Sequence, residues 1–424
     1  MRPLTSKRGL HYGWIVLAVS TLTVMGCLGF ARFGYTMILP SMQAALGLTN
    51  TQTGVLATGN FVGYLIMGTI GGFVASHYGP RRVIVFFMLL TGLTMLLTGL
   101  AGGFVGAVAW RVLTGVGSGG SNVPVMALLS SWFAARRRGL ASGIAVGGSS
   151  LALIAIGFLV PRILNAYGGD GWRYSWFALG AGVLLLGILG LVLLRERPEE
   201  KGLLPIGAQA PAQAEQPVLT KDPTLQQDAI RDWRRVYRSG SLWHLALVYV
   251  AFGFSYVIYA TFFAKYLQAE AGYTQEAAGN LWTVVGWISI LCGLIWGSVS
   301  DAIGRQYGLA LVYALQATSF AVFALWRAPS GYVLSAALFG LTAWSIPGIV
   351  AAACGDCVGA RLAPAAFGFV TLFFGLGQAI GPSVAGALAD RMDSFRPAFL
   401  LAAGVALIGG VGSLFLRPQC EIAI

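Results

Sequence analysis

The chain has 424 residues, of which 57% are hydrophobic and 10% charged, with a formal charge of +12 and a mean hydropathy of +0.75. A soluble domain carries about 25% charged residues, so this composition excludes one and predicts an integral membrane protein. The excess of cations is then read from where the basic loops fall, and it is not a nucleic-acid footprint.

Apolar runs of about 20 residues, enough for a helix to cross roughly 30 Å of hydrocarbon, recur along the whole chain. Twelve spans are predicted, near 12–40, 51–76, 82–101, 104–133, 139–165, 173–194, 241–268, 275–300, 307–327, 331–357, 363–389 and 397–416. The short alternating segments of a membrane β-barrel are absent. The expected fold is all-α.

The first span holds Gly26-Cys27-Leu28-Gly29-Phe30-Ala31-Arg32-Phe33-Gly34-Tyr35, a cation set in an otherwise apolar run. An arginine at that depth costs about 2.5–3.5 kcal/mol on insertion scales and needs an anionic or dipolar partner. No Asp or Glu occurs before Asp170, so the first 169 residues offer no carboxylate. Tyr35 lies three residues on, on the same helical face. Tyr64 in the second span and Asn122 in the fourth are further polar candidates for a central cavity. The fourth span opens with Arg111 ahead of Gly115, Gly117, Gly119 and Gly120, a run of small residues that lets helices pack closely.

Basic clusters follow the even spans: Arg81 and Arg82, then Arg136 to Arg138, then Arg195 and Arg197, while Arg2, Lys7 and Arg8 precede the first. The connections 41–50 and 101–103 carry no cation. The positive-inside rule therefore places both termini in the cytoplasm, here of a bacterial inner membrane. Residues 195–240 change to a Pro-, Gln-, Glu- and Ala-rich composition and end in Arg231-Asp232-Trp233-Arg234-Arg235. They read as a cytoplasmic linker with a short surface-lying helix, dividing the chain into 1–194 and 241–424.

The halves repeat. Gly54, Gly68, Gly72 and Gly79 match Gly279, Gly293, Gly297 and Gly304 at an offset of 225, and Arg32 and Tyr35 match Tyr256 and Tyr259 at 224. Two parallel repeats of six spans predict two pseudo-symmetric six-helix bundles around a midplane cavity, an arrangement suited to alternating access. In the eleventh span Gln378 precedes Gly381-Pro382, a cavity-lining donor beside a loosened backbone. The histidines His11, His77 and His244 are scattered, so neither a metal site nor a cofactor is expected.

The loop Gly297-Ser298-Val299-Ser300-Asp301-Ala302-Ile303-Gly304-Arg305 resembles the signature loop of the major facilitator superfamily. Its first-half counterpart, Gly72 to Arg82, keeps Gly72, Gly79 and Arg81 but has Ser76 where the family has Asp. The Arg111-glycine pattern and the Gly381-Pro382 helix resemble the same superfamily. His11-Tyr12-Gly13-Trp14-Ile15-Val16 is similar to its monocarboxylate and oxalate/formate porter branch, and Gly29 to Tyr35 to an uncharacterised bacterial branch. Residues 279–300 hold no cation, where the monocarboxylate porters carry a substrate-binding Arg. The resemblance implies a monomeric secondary transporter, with no catalytic role, in which Gly72, Gly79, Arg81, Gly297, Asp301, Gly304 and Arg305 gate the cytoplasmic side. Substrate is expected at Arg32, Tyr35, Tyr64, Arg111, Asn122, Tyr256, Tyr259 and Gln378. The missing anion makes a small organic anion, most simply a carboxylate, the expected substrate, moved in symport with protons. The alternatives are an exporter of amphipathic drugs or metabolites, favoured by the aromatic-rich spans, and a passive pore or signalling protein.

Overall fold

The computed structural model describes residues 11–208 and 236–416, and its long elements are all helices. In hydrocarbon every backbone N–H and C=O must be satisfied within its own segment, which leaves apolar runs of this length only the helix. Span 1 is Tyr12–Leu46, span 2 Asn50–Tyr78, span 3 Pro80–Gly99 and span 4 Phe104–Trp132. The helical run Arg136–Leu193 contains two crossings, span 5 ending at Tyr167 and span 6 beginning at Gly171. Spans 7 to 12 are Gly240–Ala269, Gln275–Ile303, Arg305–Leu325, Pro329–Gly359, Ala365–Met392 and Arg396–Leu414. Among the described residues twelve crossings result, in two bundles of six. The Arg231–Arg235 surface helix lies outside the described residues.

Span 1 runs six residues beyond the expected stop at Pro40. One proline forgoes a single backbone bond, and the helix ends only at Gly47, whose φ of 61° and N–H to the Gln43 carbonyl close it. The internal repeat is visible in the caps. Thr49 and Thr274 each accept a backbone N–H at the start of spans 2 and 8, and each of those helices runs 29 residues. Both end on a glycine with positive φ, Gly79 at 84° and Gly304 at 96°, a conformation an L side chain resists.

The bundles meet along span 1 with span 7, span 2 with span 11 and span 5 with span 8. Their contacts concentrate in the half of the molecule away from the start of span 1 and the end of span 12. There Gly54 rests on the Pro382 carbonyl, Gly386 on the Asn50 carbonyl, and Gly157 on Gly279. Thr58 donates to the Ala379 carbonyl at 2.6 Å and Thr36 to the Ala260 carbonyl at 2.6 Å. At the rim the Asp390 carboxylate accepts the N–H groups of Asn50 and Thr51 at 2.9 and 2.7 Å, capping span 2 from the opposite bundle. Toward the end where span 1 begins and span 12 stops, the same spans separate. Among the described residues, nothing beyond the local helix lies within 4 Å of where a Cβ would stand at Gly72, Gly143, Gly297 or Gly368. This conformation is closed at the far end and open toward the end where span 1 begins and span 12 stops.

A candidate anion site between the bundles

Met25–Phe33 winds as a π-helix rather than an α-helix. Glycines make room for it: Gly29 lies directly against Ala152, and Gly148 against the Thr21 carbonyl. A π-segment disturbs the regular backbone ladder, and such segments occur often at functional sites. Span 4 supplies donors to this stretch. Arg111 Nη1 donates to the Ala31 carbonyl at 2.6 Å, and Ser118 Oγ donates to the Cys27 carbonyl. Seven residues, two helical turns, separate Arg111 from Ser118, so both face span 1. Arg111 is 1% exposed, with its guanidinium over the rings of Tyr35 and Trp176 at 4.9 and 5.2 Å.

Arg32 sits near the end of the π-segment and is 9% exposed. Its Cζ lies 4.8 Å from the Phe61 ring centroid and 4.4 Å from that of Tyr64, both on span 2. These cation–π contacts partly replace water. Its Nε and Nη2 are buried and have no hydrogen-bond partner. Tyr64 accepts the Asn122 amide N–H at 2.9 Å. Across the interface Gln378 donates its amide N–H to the Tyr256 hydroxyl, and that oxygen lies beside the Arg32 guanidinium. Tyr249, Phe252, Tyr256 and Phe374 stack behind it with interplanar angles of 1° to 16°. A void of about 10 Å³, room for one water, is enclosed on the closed side of Arg32 by Tyr35, Phe61, Arg111 and Thr261.

Of the residues expected from the sequence, Arg32, Tyr64, Asn122, Tyr256 and Gln378 thus form one group. Tyr35 and Arg111 stand behind the π-segment, Tyr35 donating to the Thr53 carbonyl at 2.9 Å. Tyr259 faces into the second bundle. Its hydroxyl meets Ser335 at 2.8 Å and its ring packs among Phe320, Phe323 and Phe339. Three residues along a helix turn the direction by about 60°, enough to separate Tyr259 from Tyr256. Phe61 and Ser118 were not expected; a phenylalanine and a serine in apolar spans carry no signal of their own.

At the open end Arg305 bonds Asp356 at 3.0 Å, Ser300 at 2.8 Å and Asp301, all within the second bundle, beside a cleft of about 440 Å³. In the first bundle Arg81 donates to the Leu191 carbonyl at 2.6 Å, and the Glu196 carboxylate lies directly against Gly79. The carboxylates among the described residues lie near helix ends or in connections: Asp170, Glu196, Glu199, Glu200, Glu270, Glu276, Asp301, Asp356, Asp390 and Asp393. None approaches Arg32.

The sequence model of the Major Facilitator Superfamily matches residues 21–354 and 262–419. The chain is 24% identical to a probable sulfoacetate transporter, SauU, of Cupriavidus necator over 409 residues, 92% of this chain and 91% of that protein. It is 26% identical to the hexuronate transporter of Bacillus subtilis, covering 91% of each. A crystal structure of a bacterial homologue of the human lysosomal transporter Spinster, inward-facing and occupied, superposes with a TM-score of 0.74. It shares 16% identity and covers 99% of this chain and 100% of that one.

Proposed function

The chain belongs to the Major Facilitator Superfamily, and from that premise we propose that it is a secondary active transporter of a small organic anion, most simply a carboxylate, working by alternating access. The observation that carries the reading is Arg32, buried at the bundle interface with Nε and Nη2 unpartnered and, among the described residues, no carboxylate near it. A guanidinium presents paired donors in a plane that match the two oxygens of a carboxylate. The hexuronate and sulfoacetate transporters to which the chain is similar are named for anions. The proposal includes the division into bundles 1–194 and 241–424 joined by a cytoplasmic linker. With both termini inside a bacterial inner membrane, the open end faces the cytoplasm, and Asp301 and Arg305 act there as a latch.

We further propose proton symport by a monomer. With no carboxylate at membrane depth, the proton travels on the substrate or through an acid at a helix end, such as Asp356. Reconstitution into proteoliposomes tests the function. Glucuronate, lactate, benzoate and propanoate are offered singly under an imposed pH gradient. Saturable uptake of one of them, driven by external acid, is the expected outcome. Flux that rises linearly without saturation would indicate a pore, and efflux restricted to amphipathic cations would support the exporter.

A further inference from the structure

The two phenols beside Arg32 are both engaged by amides in the same sense. Asn122 gives its N–H to the Tyr64 oxygen at 2.9 Å, and Gln378 gives its N–H to the Tyr256 oxygen. A hydroxyl that accepts such a bond keeps its own proton to donate. Among the described residues no acceptor takes a hydrogen bond from Tyr64 or Tyr256. Arg32 adds Nε–H and Nη2–H, also without a partner. Donors from two bundles therefore gather around one place: Arg32 on span 1 and Tyr64 on span 2 from the first, Tyr256 on span 7 from the second.

We infer that Tyr64 and Tyr256 are specificity residues that donate, with Arg32, to a fully deprotonated carboxylate bridging the two bundles, and that Asn122 and Gln378 hold them in that role. This deepens the anion reading and rests on it. A cage made of donors favours a head group that only accepts. A neutral carboxylic acid or primary amide brings N–H or O–H groups that meet other donors, leaving buried groups unpaired on both sides. The proton of any symport is consequently carried elsewhere than on the bound carboxylate. Because Tyr256 belongs to the other bundle, the anion also ties the bundles together when it binds.

The test uses the purified full-length protein and thermal shift with glucuronate, lactate, benzoate and propanoate, each against its primary amide. The expected result is that at least one carboxylate raises the melting temperature and its amide does not. Tyr64→Phe and Tyr256→Phe should each weaken that carboxylate about tenfold, the scale of one hydrogen bond to a charged group. Each substitution also removes the oxygen that accepts an amide N–H, so both should lower the melting temperature of the empty protein somewhat, and the carboxylate shift is read against each variant's own empty baseline. Gln378→Glu, which takes the phenol proton for itself and adds a negative charge, should abolish the carboxylate shift. Full carboxylate affinity in both Phe variants, with Arg32→Gln still eliminating it, would overturn the donor cage and leave the anion reading standing. No shift with any of the four carboxylates would remove both.

Discussion

The Arg111 guanidinium donates to the carbonyl of Ala31, the residue immediately before Arg32. One buried arginine thereby fixes the backbone that aims the other, and the two have different jobs although both are cations in apolar spans. Arg111 has a backbone acceptor for Nη1 and two aromatic faces, with its Nε unbonded, whereas Arg32 leaves both Nε and Nη2 unbonded against aromatic faces.

Arg111→Met should therefore act on structure first. It removes the Arg111 donor to the Ala31 carbonyl in a buried place, a cost of about 1–3 kcal/mol, partly offset by removing a buried charge. Ser118→Ala, which removes the side-chain donor to the Cys27 carbonyl, should cost about 1 kcal/mol. Melting temperatures of the empty protein check both. An Arg111→Met protein that melts like the parent would mean that the π-segment holds itself.

The closed end depends on backbone approach that only glycine permits. A Cβ at Gly54 would collide with the Pro382 carbonyl. Gly54→Val should hold spans 2 and 11 apart at that end, and Asp390→Asn should loosen it by removing a carboxylate cap worth about 0.3–1 kcal/mol. With Val257→Cys as a reporter, an impermeant maleimide added outside intact cells should label Gly54→Val strongly, Asp390→Asn weakly and the parent hardly at all. Equal labelling in all three would put the substrate path elsewhere.

The fold was legible because hydrocarbon permits few answers: runs of about 20 apolar residues become helices, and the Thr49/Thr274 and Gly79/Gly304 caps sit at the spacing the repeat predicts. Arg32 was legible because a charge at membrane depth is costly. The π-segment was not, since its sequence also suits an α-helix and its donors, Arg111 and Ser118, lie about 80 to 90 residues away in the chain. The Tyr256 and Tyr259 pair shows the same limit from the other side. The repeat marked both residues, yet only packing decides which face of span 7 meets the first bundle and which meets Phe320 and Phe339.

Asp301→Asn tests the open end. Arg305 would keep Asp356, and Asp301 is 64% exposed, so the pair is worth about 1 kcal/mol at most, a fivefold change in population. Turnover should fall more than substrate affinity, and the labelling of cysteines lining the inner cavity should change with the population of the open state. An unchanged labelling pattern counts against a latch.

The decisive substitution is at Arg32, where the expected signs for stability and binding are opposite. A buried charge without a partner burdens the folded protein, so Arg32→Gln should raise the melting temperature of the empty transporter. The same change removes the cation that a carboxylate needs, so carboxylate-induced stabilisation and uptake should vanish. Arg32→Lys keeps the charge but replaces the planar fork with a compact ammonium, and transport should drop at least tenfold while some binding persists. A structural arginine, solvated by water and held for packing against Phe61 and Tyr64, would give the reverse pattern. Arg32→Gln would then melt lower and still accumulate the same substrate with the same affinity. That result would end the anion reading and leave the export of amphipathic compounds as the better account.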